Sequence, residues 1–384
     1  MAAITVLADH PSVVATHATR VAWPTFDTLH VFEESAAGPL SRVVGGALTD
    51  RAVIVAEAST GALHRYDRAT GAVLGRAGRL GSGPGEFRRL EWLEARGNAL
   101  YTSDDELRRL TVWSHETALQ RTVPLTGEAG AVVPEPLDVF PSGELLAARI
   151  IPEEGVSANG VLLPRTASVI APRYALSRHA PDGLRLNALT SYRGRQSFVA
   201  PNAGGGATSG GALFGRHGAA VVSGDAIVVL SSEHDTLVRM AADGRRLGVL
   251  RVPRDVPVAV QRADVARARS LAVPPGRLPF DIGAVFDQQT PPTHFPRFGW
   301  GGRVRLPVLS STQDGSVWLL RYGGVRSRTA TYLRFAANGQ LRDSLRLDDE
   351  ARVFDARDDL LLVGTTDDDG VERVLLLRQR TRGR

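Results

Sequence analysis

The sequence predicts an all-β fold built from six small four-stranded antiparallel sheets. Three observations carry the prediction: a hairpin signature that recurs along the chain, an apolar strand ahead of the hairpins, and a spare strand near the N-terminus that the last sheet lacks. Forty Gly and 22 Pro in 384 residues agree with a turn-rich chain and disagree with a helical bundle.

The signature is clearest in LHRYDRATGAVL, from Leu63 to Leu74. It returns as LVRMAADGRRL from Leu237 to Leu247, as LRFAANGQL from Leu333 to Leu341 and as LSRHAPDGLRL from Leu176 to Leu186. A worn copy, LTVWSHETAL from Leu110 to Leu119, has lost the glycine. Asp-Gly or Asn-Gly between apolar stretches marks a tight hairpin, because such turns need a residue that accepts positive φ. The apolar strands that come before are Ala52–Ala56, Ala99–Tyr101, Leu145–Ala147, Ala226–Leu230, Ser316–Leu320 and Leu360–Val363.

One small sheet cannot bury both of its faces, but sheets packed radially against one another can, and the ring leaves only short edges. The fold expected is therefore a six-bladed β-propeller. A two-sheet sandwich would give no reason for the repeated Arg-aromatic-x-x-(Asp/Asn)-Gly register. The last hairpin, Asp369 to Leu377, ends without an outer strand, and Thr28–Phe32 can supply one and tie the termini together. Residues 1–384 thus read as one domain. It has an N-terminal arm (1–26), a closing strand (27–34), a Gly/Ser-rich loop (191–213) and an insertion with a short helix (252–304) between the fourth and fifth blades.

Composition excludes much chemistry. The chain has no Cys and no Lys, so Arg supplies all 46 of its basic residues other than His. Disulfides, thiol nucleophiles, cysteine-held metals, lysine Schiff bases and Walker-type phosphate loops are ruled out. The net charge of +5 is spread thinly, and aromatic content is 6%, so neither a basic patch nor a stacking platform for nucleic acid is expected. No apolar run is long enough to span a bilayer. The first ten residues, MAAITVLADH, lack the basic segment and sustained apolar run of a secretory signal.

The segment Gly78 to Phe87 (GRLGSGPGEF) lies between an outer strand and the next inner strand. With Val55–Glu57 and Arg65–Asp67 before it, the start DGSVW at Asp314–Trp318 and the terminal DDGVERV run, it resembles the NHL-type six-bladed β-propellers of bacteria. The closer likeness is to the propeller proteins of Gemmatimonadota-like genomes. The resemblance covers nearly the whole chain and speaks to fold far more than to activity. It implies export, so the protein would be periplasmic or secreted if its start is truncated.

The Gly78–Gly85 run is not a dinucleotide loop, since Pro84 and Phe87 lead to another strand rather than a helix. No nucleophile elbow and no His-Glu-x-x-His is present. Asp104–Glu106, Asp348–Glu350 and Asp367–Asp369 raise calcium as the one ion worth testing, but none fits the twelve-residue calcium loop. No other cofactor is expected.

In a propeller the loop after the second strand of each blade opens on one face around the channel. That places Glu57, Asp104, Arg149, Glu233, Arg321 and Asp367 at equivalent positions, with His234 beside Glu233. Such a ring of acids and arginines either binds a polar ligand through paired hydrogen bonds or neutralises itself and closes the channel. The stretch Val258–Leu271 reads as a short helix, and Phe295, Phe298 and Trp300 either wall a pocket or pack on the rim.

Two functions remain. The first is a non-enzymatic binding or scaffold module that uses the loop-bearing face for a protein, peptide or glycan, expected to be a monomer with no nucleic-acid partner. The second is a metal-dependent hydrolase or lyase, lactonase-like or streptogramin-lyase-like, with Asp104, Glu233, His234 and Asp367 as ligands or bases.

Overall fold

The computed structural model describes residues 24–35, 38–124, 133–153, 156, 165–201, 207–253, 257–272, 288–298, 307–322, 329–348, 351–367 and 369–380. The chain is all-β apart from one helix, Arg262–Ala272, among these residues. Six of the sheets have four antiparallel strands each. Their first, inner strands are Val43–Leu48, Leu90–Arg96, Glu135–Val139, Ala219–Ser223, Leu309–Ser311 and Arg352–Arg357. Each inner strand touches the next, and the sixth touches the first, so the strands close a ring.

The apolar runs of the second strands explain why the sheets stack. Side chains alternate along a strand, so Ile54 and Ala56 pack with Leu93 and Leu100 of the second sheet, while Val53 and Val55 pack with Leu362 and Leu376 of the sixth. Leu361 and Val363 likewise face Trp318 and Tyr332 of the fifth sheet. Every neighbouring pair of sheets shares such a buried cluster. Full burial of one of these aliphatic side chains contributes roughly 1.5–3 kcal/mol.

The recurring hairpin has a common geometry. Gly183, Gly244 and Gly339 have φ of 92°, 92° and 86°, the left-handed region that their turns require. In each, the Asp or Asn before the glycine accepts from the amide two residues on, as in Arg245 N to Asp243 Oδ1 at 2.8 Å. A register shift follows the signature arginine in four copies, at Arg65/Tyr66, Arg178/His179, Arg239/Met240 and Arg334/Phe335. Two of these arginines reach a turn of the next sheet: Arg65 donates to the Glu116 carbonyl and Arg239 to that of Ala337.

The strand Phe26–Phe32 pairs antiparallel with Glu372–Gln379 and forms the outer edge of the sixth sheet. Phe32 is buried against Tyr66, with ring centroids 4.6 Å apart.

Two expectations are revised. The stretch 191–213, read as a flexible loop, holds the end of a strand (Arg185–Arg193) and two further strands, Ser197–Pro201 and Ala207–Gly211. These last two form a small sheet with Ser168–Ile170. Its glycines suggested a loop, but buried Phe198 and Val199 anchor it. The helix begins at Arg262 rather than Val258, and Val265 and Ala268 pack on Leu213 and Phe214. Among the described residues, no helix is long and apolar enough to cross a membrane.

Candidate functional site

The ring of inner strands encloses a cavity of about 600 Å³. It opens on the face where the inner strands begin and the second strands end, as the pairs Val43↔Glu57 and Leu90↔Asp104 fix. Four inner strands carry a register shift near this end, at Val43/Gly45, Leu90/Trp92, Pro136/Asp138 and Val353/Asp355. The extra residues, Val44, Glu91, Leu137 and Phe354, all line the cavity. A bulge re-aims a side chain in this way.

A buried polar network closes the other end. Arg96 lies at its centre, with Nη2 2.9 Å from Asp138 Oδ1, Nη1 3.0 Å from Glu94 Oε2, and Nε donating to the Val139 carbonyl at 3.0 Å. Asp138 Oδ2 accepts from Ser311 Oγ at 2.7 Å and from the Val222 amide at 2.8 Å. Asp355 accepts from the Leu48 amide at 2.9 Å and from both nitrogens of Gln313. Six inner strands and one adjoining turn therefore contribute to a single floor. An arginine held by several acceptors in a low-dielectric site is a strong, well-oriented element.

Three carboxylates surround this one guanidinium. Burial pushes Asp355 up to about 6 despite its four hydrogen bonds. Burial, reinforced by Asp138 and Asp355, pushes Glu94 up to about 8, although Arg96 opposes the shift. Arg96 is held more firmly protonated than usual, because its acidic neighbours outweigh its burial. The Glu94 side chain is 22% exposed, and what it faces is the cavity.

Above Glu94 the walls include Trp92, Phe354, Tyr192 and Ser310. Arg195, His217, Arg352 and Glu91 complete the charged lining. Burial, together with Arg195, pushes His217 down to about 4, so the imidazole is neutral at ordinary pH. Arg352 lies over the Phe354 ring at 5.1 Å and donates to the Val43 carbonyl. The enclosed Ser310 Oγ has no hydrogen-bond partner among the described residues.

Among the described residues, none of those singled out from sequence lines this cavity. Glu57 is buried and accepts from Ser41 N, Thr60 Oγ1 and His64 Nε2 at 2.9, 2.6 and 2.8 Å. Those bonds hold its carboxyl below the usual value against the opposing effect of burial. Asp104 is buried and accepts from the amides of Arg88, Arg89 and Leu107. Asp367 accepts from the amides of Asp369 and Val371 and pairs with Arg373 at 2.8 Å. Arg149 and Arg321 sit on second strands opposite Ala175 and Thr331.

Glu233 and His234 are exposed, and Glu233 Oε1 lies 3.4 Å from Arg193 Nε. With Glu153, Arg193 and Ser232, Glu233 lines a second cavity of about 420 Å³. Phe295 stacks on Tyr322 at 5.1 Å and Phe298 is buried between the fourth and fifth sheets, so both pack on the rim. Trp300, Asp349, Glu350 and Asp368 lie outside the described residues.

The Gly78–Gly85 turn folds around a carboxylate of its own chain: Gly83 N donates to Glu86 Oε2 at 2.7 Å, and Arg109 donates to the carbonyls of Ser82 and Gly83. Among the described residues, no three His, Asp or Glu side chains form a group able to hold a metal, so Asp104, Glu233, His234 and Asp367 do not converge.

No family model matches the chain, and no curated protein matches its sequence. Among solved structures, virginiamycin B lyase from Staphylococcus aureus is similar with 8% identity and a TM-score of 0.41, over 92% of this chain and 99% of that one. A calcium-binding protein, regucalcin from Agrobacterium tumefaciens, gives 12% identity and a TM-score of 0.41 over 90% and 92%. A member of the DUF4221 family from Bacteroides vulgatus gives 9% and 0.40 over 93% and 99%. These are propeller-type proteins, and at such scores the likeness carries no argument about activity.

Proposed function

We propose that the chain is a six-bladed β-propeller that binds a ligand in the open end of its central channel and does not transform it. The single observation that carries this reading is the cavity of about 600 Å³, open at one end and closed at the other by the Arg96 network. That size is within the range of ligand pockets, and apolar walls with a few placed polar groups are their usual lining. A small molecule, or the end group of a peptide or glycan, fits such a blind channel. The NHL-type likeness belongs to this reading and rests on the sequence motifs.

The rival metal-dependent hydrolase or lyase is favoured by no particular contact, since Asp104, Asp367 and the adjacent pair Glu233 and His234 stand in three separate places, one strand end and two turns. The test fills the channel. Ser310→Phe places a ring in the cavity while leaving the floor network in place. Ligands found by a thermal-shift screen of the wild type are expected to lose their effect on this variant. Ligands that stabilise both proteins equally would place binding elsewhere.

A further inference from the structure

We propose that the channel selects organic cations, an alkylammonium or guanidinium group descending between Trp92 and Phe354 to pair with Glu94. This deepens the channel-binding reading and rests on it.

Charge on the floor is the first argument. Arg96 is committed to Glu94, Asp138, Ser311 and two backbone carbonyls, so one positive charge is shared by acids that include Asp355 nearby. Asp138 and Asp355 are spent on inward bonds to amides, to Ser311 and to Gln313. Glu94 differs. Its Oε2 meets Arg96, and of the two floor carboxylates that line the cavity, Glu94 and Asp138, its side chain is the more open, 22% exposed against 2%. An incoming cation would complete the charge balance there, where low dielectric makes the pair stronger than in water.

The walls are the second argument. Trp92 and Phe354 are half-buried and both line the cavity. Aromatic faces attract ammonium and guanidinium groups, more strongly when water is excluded. Arg352 already lies over Phe354 in this manner, so an incoming cation would share that ring with it. The third argument is Ser310 Oγ, enclosed beside the cavity and without a partner among the described residues, an oxygen ready to accept an N–H.

The other titratable groups lining the cavity are Glu91, Asp138, Tyr192, Arg195, His217 and Arg352. His217 is neutral at ordinary pH. Glu91 pairs with Arg89 at 3.0 Å, and Arg352 with Glu372 at 3.9 Å. The raised affinity of Glu94 for a proton fits the same picture, since at neutral pH a proton occupies the place the cation would take.

The test compares three probes on one phenylpropyl skeleton: 3-phenylpropylamine, 3-phenylpropanol and 3-phenylpropionate. Affinities are measured by calorimetry at pH 7 in two buffers of different ionisation heat. The amine is expected to bind best, to release a proton, and to bind about tenfold more weakly to Glu94→Gln. Phe354→Leu should weaken it as well, and thermal melts establish that both variants are folded. Equal or tighter binding of the propionate or alcohol, abolished by Ser310→Phe, would overturn cation selection and leave the channel reading standing. Amine binding that survives Ser310→Phe and Glu94→Gln would overturn both, as would no binding by any of the three.

Discussion

Asp355 Oδ2 accepts the Leu48 amide at 2.9 Å and so ties the inner strand of the sixth sheet to that of the first. Across the ring, Asp138 does the same for the third and fourth sheets through the Val222 amide at 2.8 Å. Each spends its other oxygen on the amide of the residue that follows, Ala356 or Val139. Two carboxylates thus fasten opposite joints of one ring. Asp355→Ala leaves the Leu48 and Gln313 amides unsatisfied and should cost about 1–3 kcal/mol in denaturant unfolding. Asp355→Asn keeps an acceptor and should cost less. An unchanged midpoint for the alanine variant would remove this role.

Asp138→Ala should be worse, because it removes from buried Arg96 the carboxylate that both pairs with it and fixes Ser311 and the Val222 amide. Breaking such a buried pair costs about 3–5 kcal/mol. Replacing Arg96 as well, with Met, is expected to recover part of the loss. A double variant that simply sums the two single losses would show that the residues do not act as a pair.

The pH dependence of stability carries a sign that Glu94 sets. Its folded value of about 8 stands above the ordinary 4.5, so the folded state holds the proton more tightly than the unfolded chain. Its contribution is therefore present below about 4.5 and is lost as pH rises to about 8. Carboxyls held low, such as Glu57, act in the opposite sense below their ordinary values. The difference between wild type and Glu94→Gln isolates the first effect. Unfolding titrations should show the variant gaining on the wild type from pH 5 to pH 8, and a flat difference would refute the shift.

Asp104 accepts from two amides of the segment that leads into the second inner strand, Arg88 and Arg89, and from the Leu107 amide in its own hairpin. Asp104→Ala should lower stability by about 1–3 kcal/mol and leave amine affinity in the channel unchanged. A loss of bound calcium on this substitution, measured by metal analysis, would instead revive the metal reading.

The second strands were legible because AVIVA, AIVVL and LLLV are apolar on both alternating faces, which only a strand packed between two neighbours requires. The hairpins were legible because their glycines are forced to positive φ. The channel lining was not. Whether Glu91, Leu137 or Phe354 points inward depends on a bulge, and a bulge is a property of two paired strands rather than of one. One signal was available: LEWLEAR, EPLDVF and RVFDAR each place acids in a strand that should be innermost, and an innermost strand has little water to face except in the channel. The acids at the ends of second strands drew attention instead, and Glu57, Asp104 and Asp367 turned out to be holding turns.

The closing of the ring by its first strand can be tested directly, because a chain without cysteine permits a clean cross-link. Asp27 and Arg378 are directly opposed partners and both are exposed. The double variant Asp27→Cys/Arg378→Cys should form an intramolecular disulfide on mild oxidation, remain monomeric and melt at a higher temperature than its reduced form. Mass spectrometry that finds two free thiols, or only links between chains, would contradict a ring closed by its own N-terminal strand.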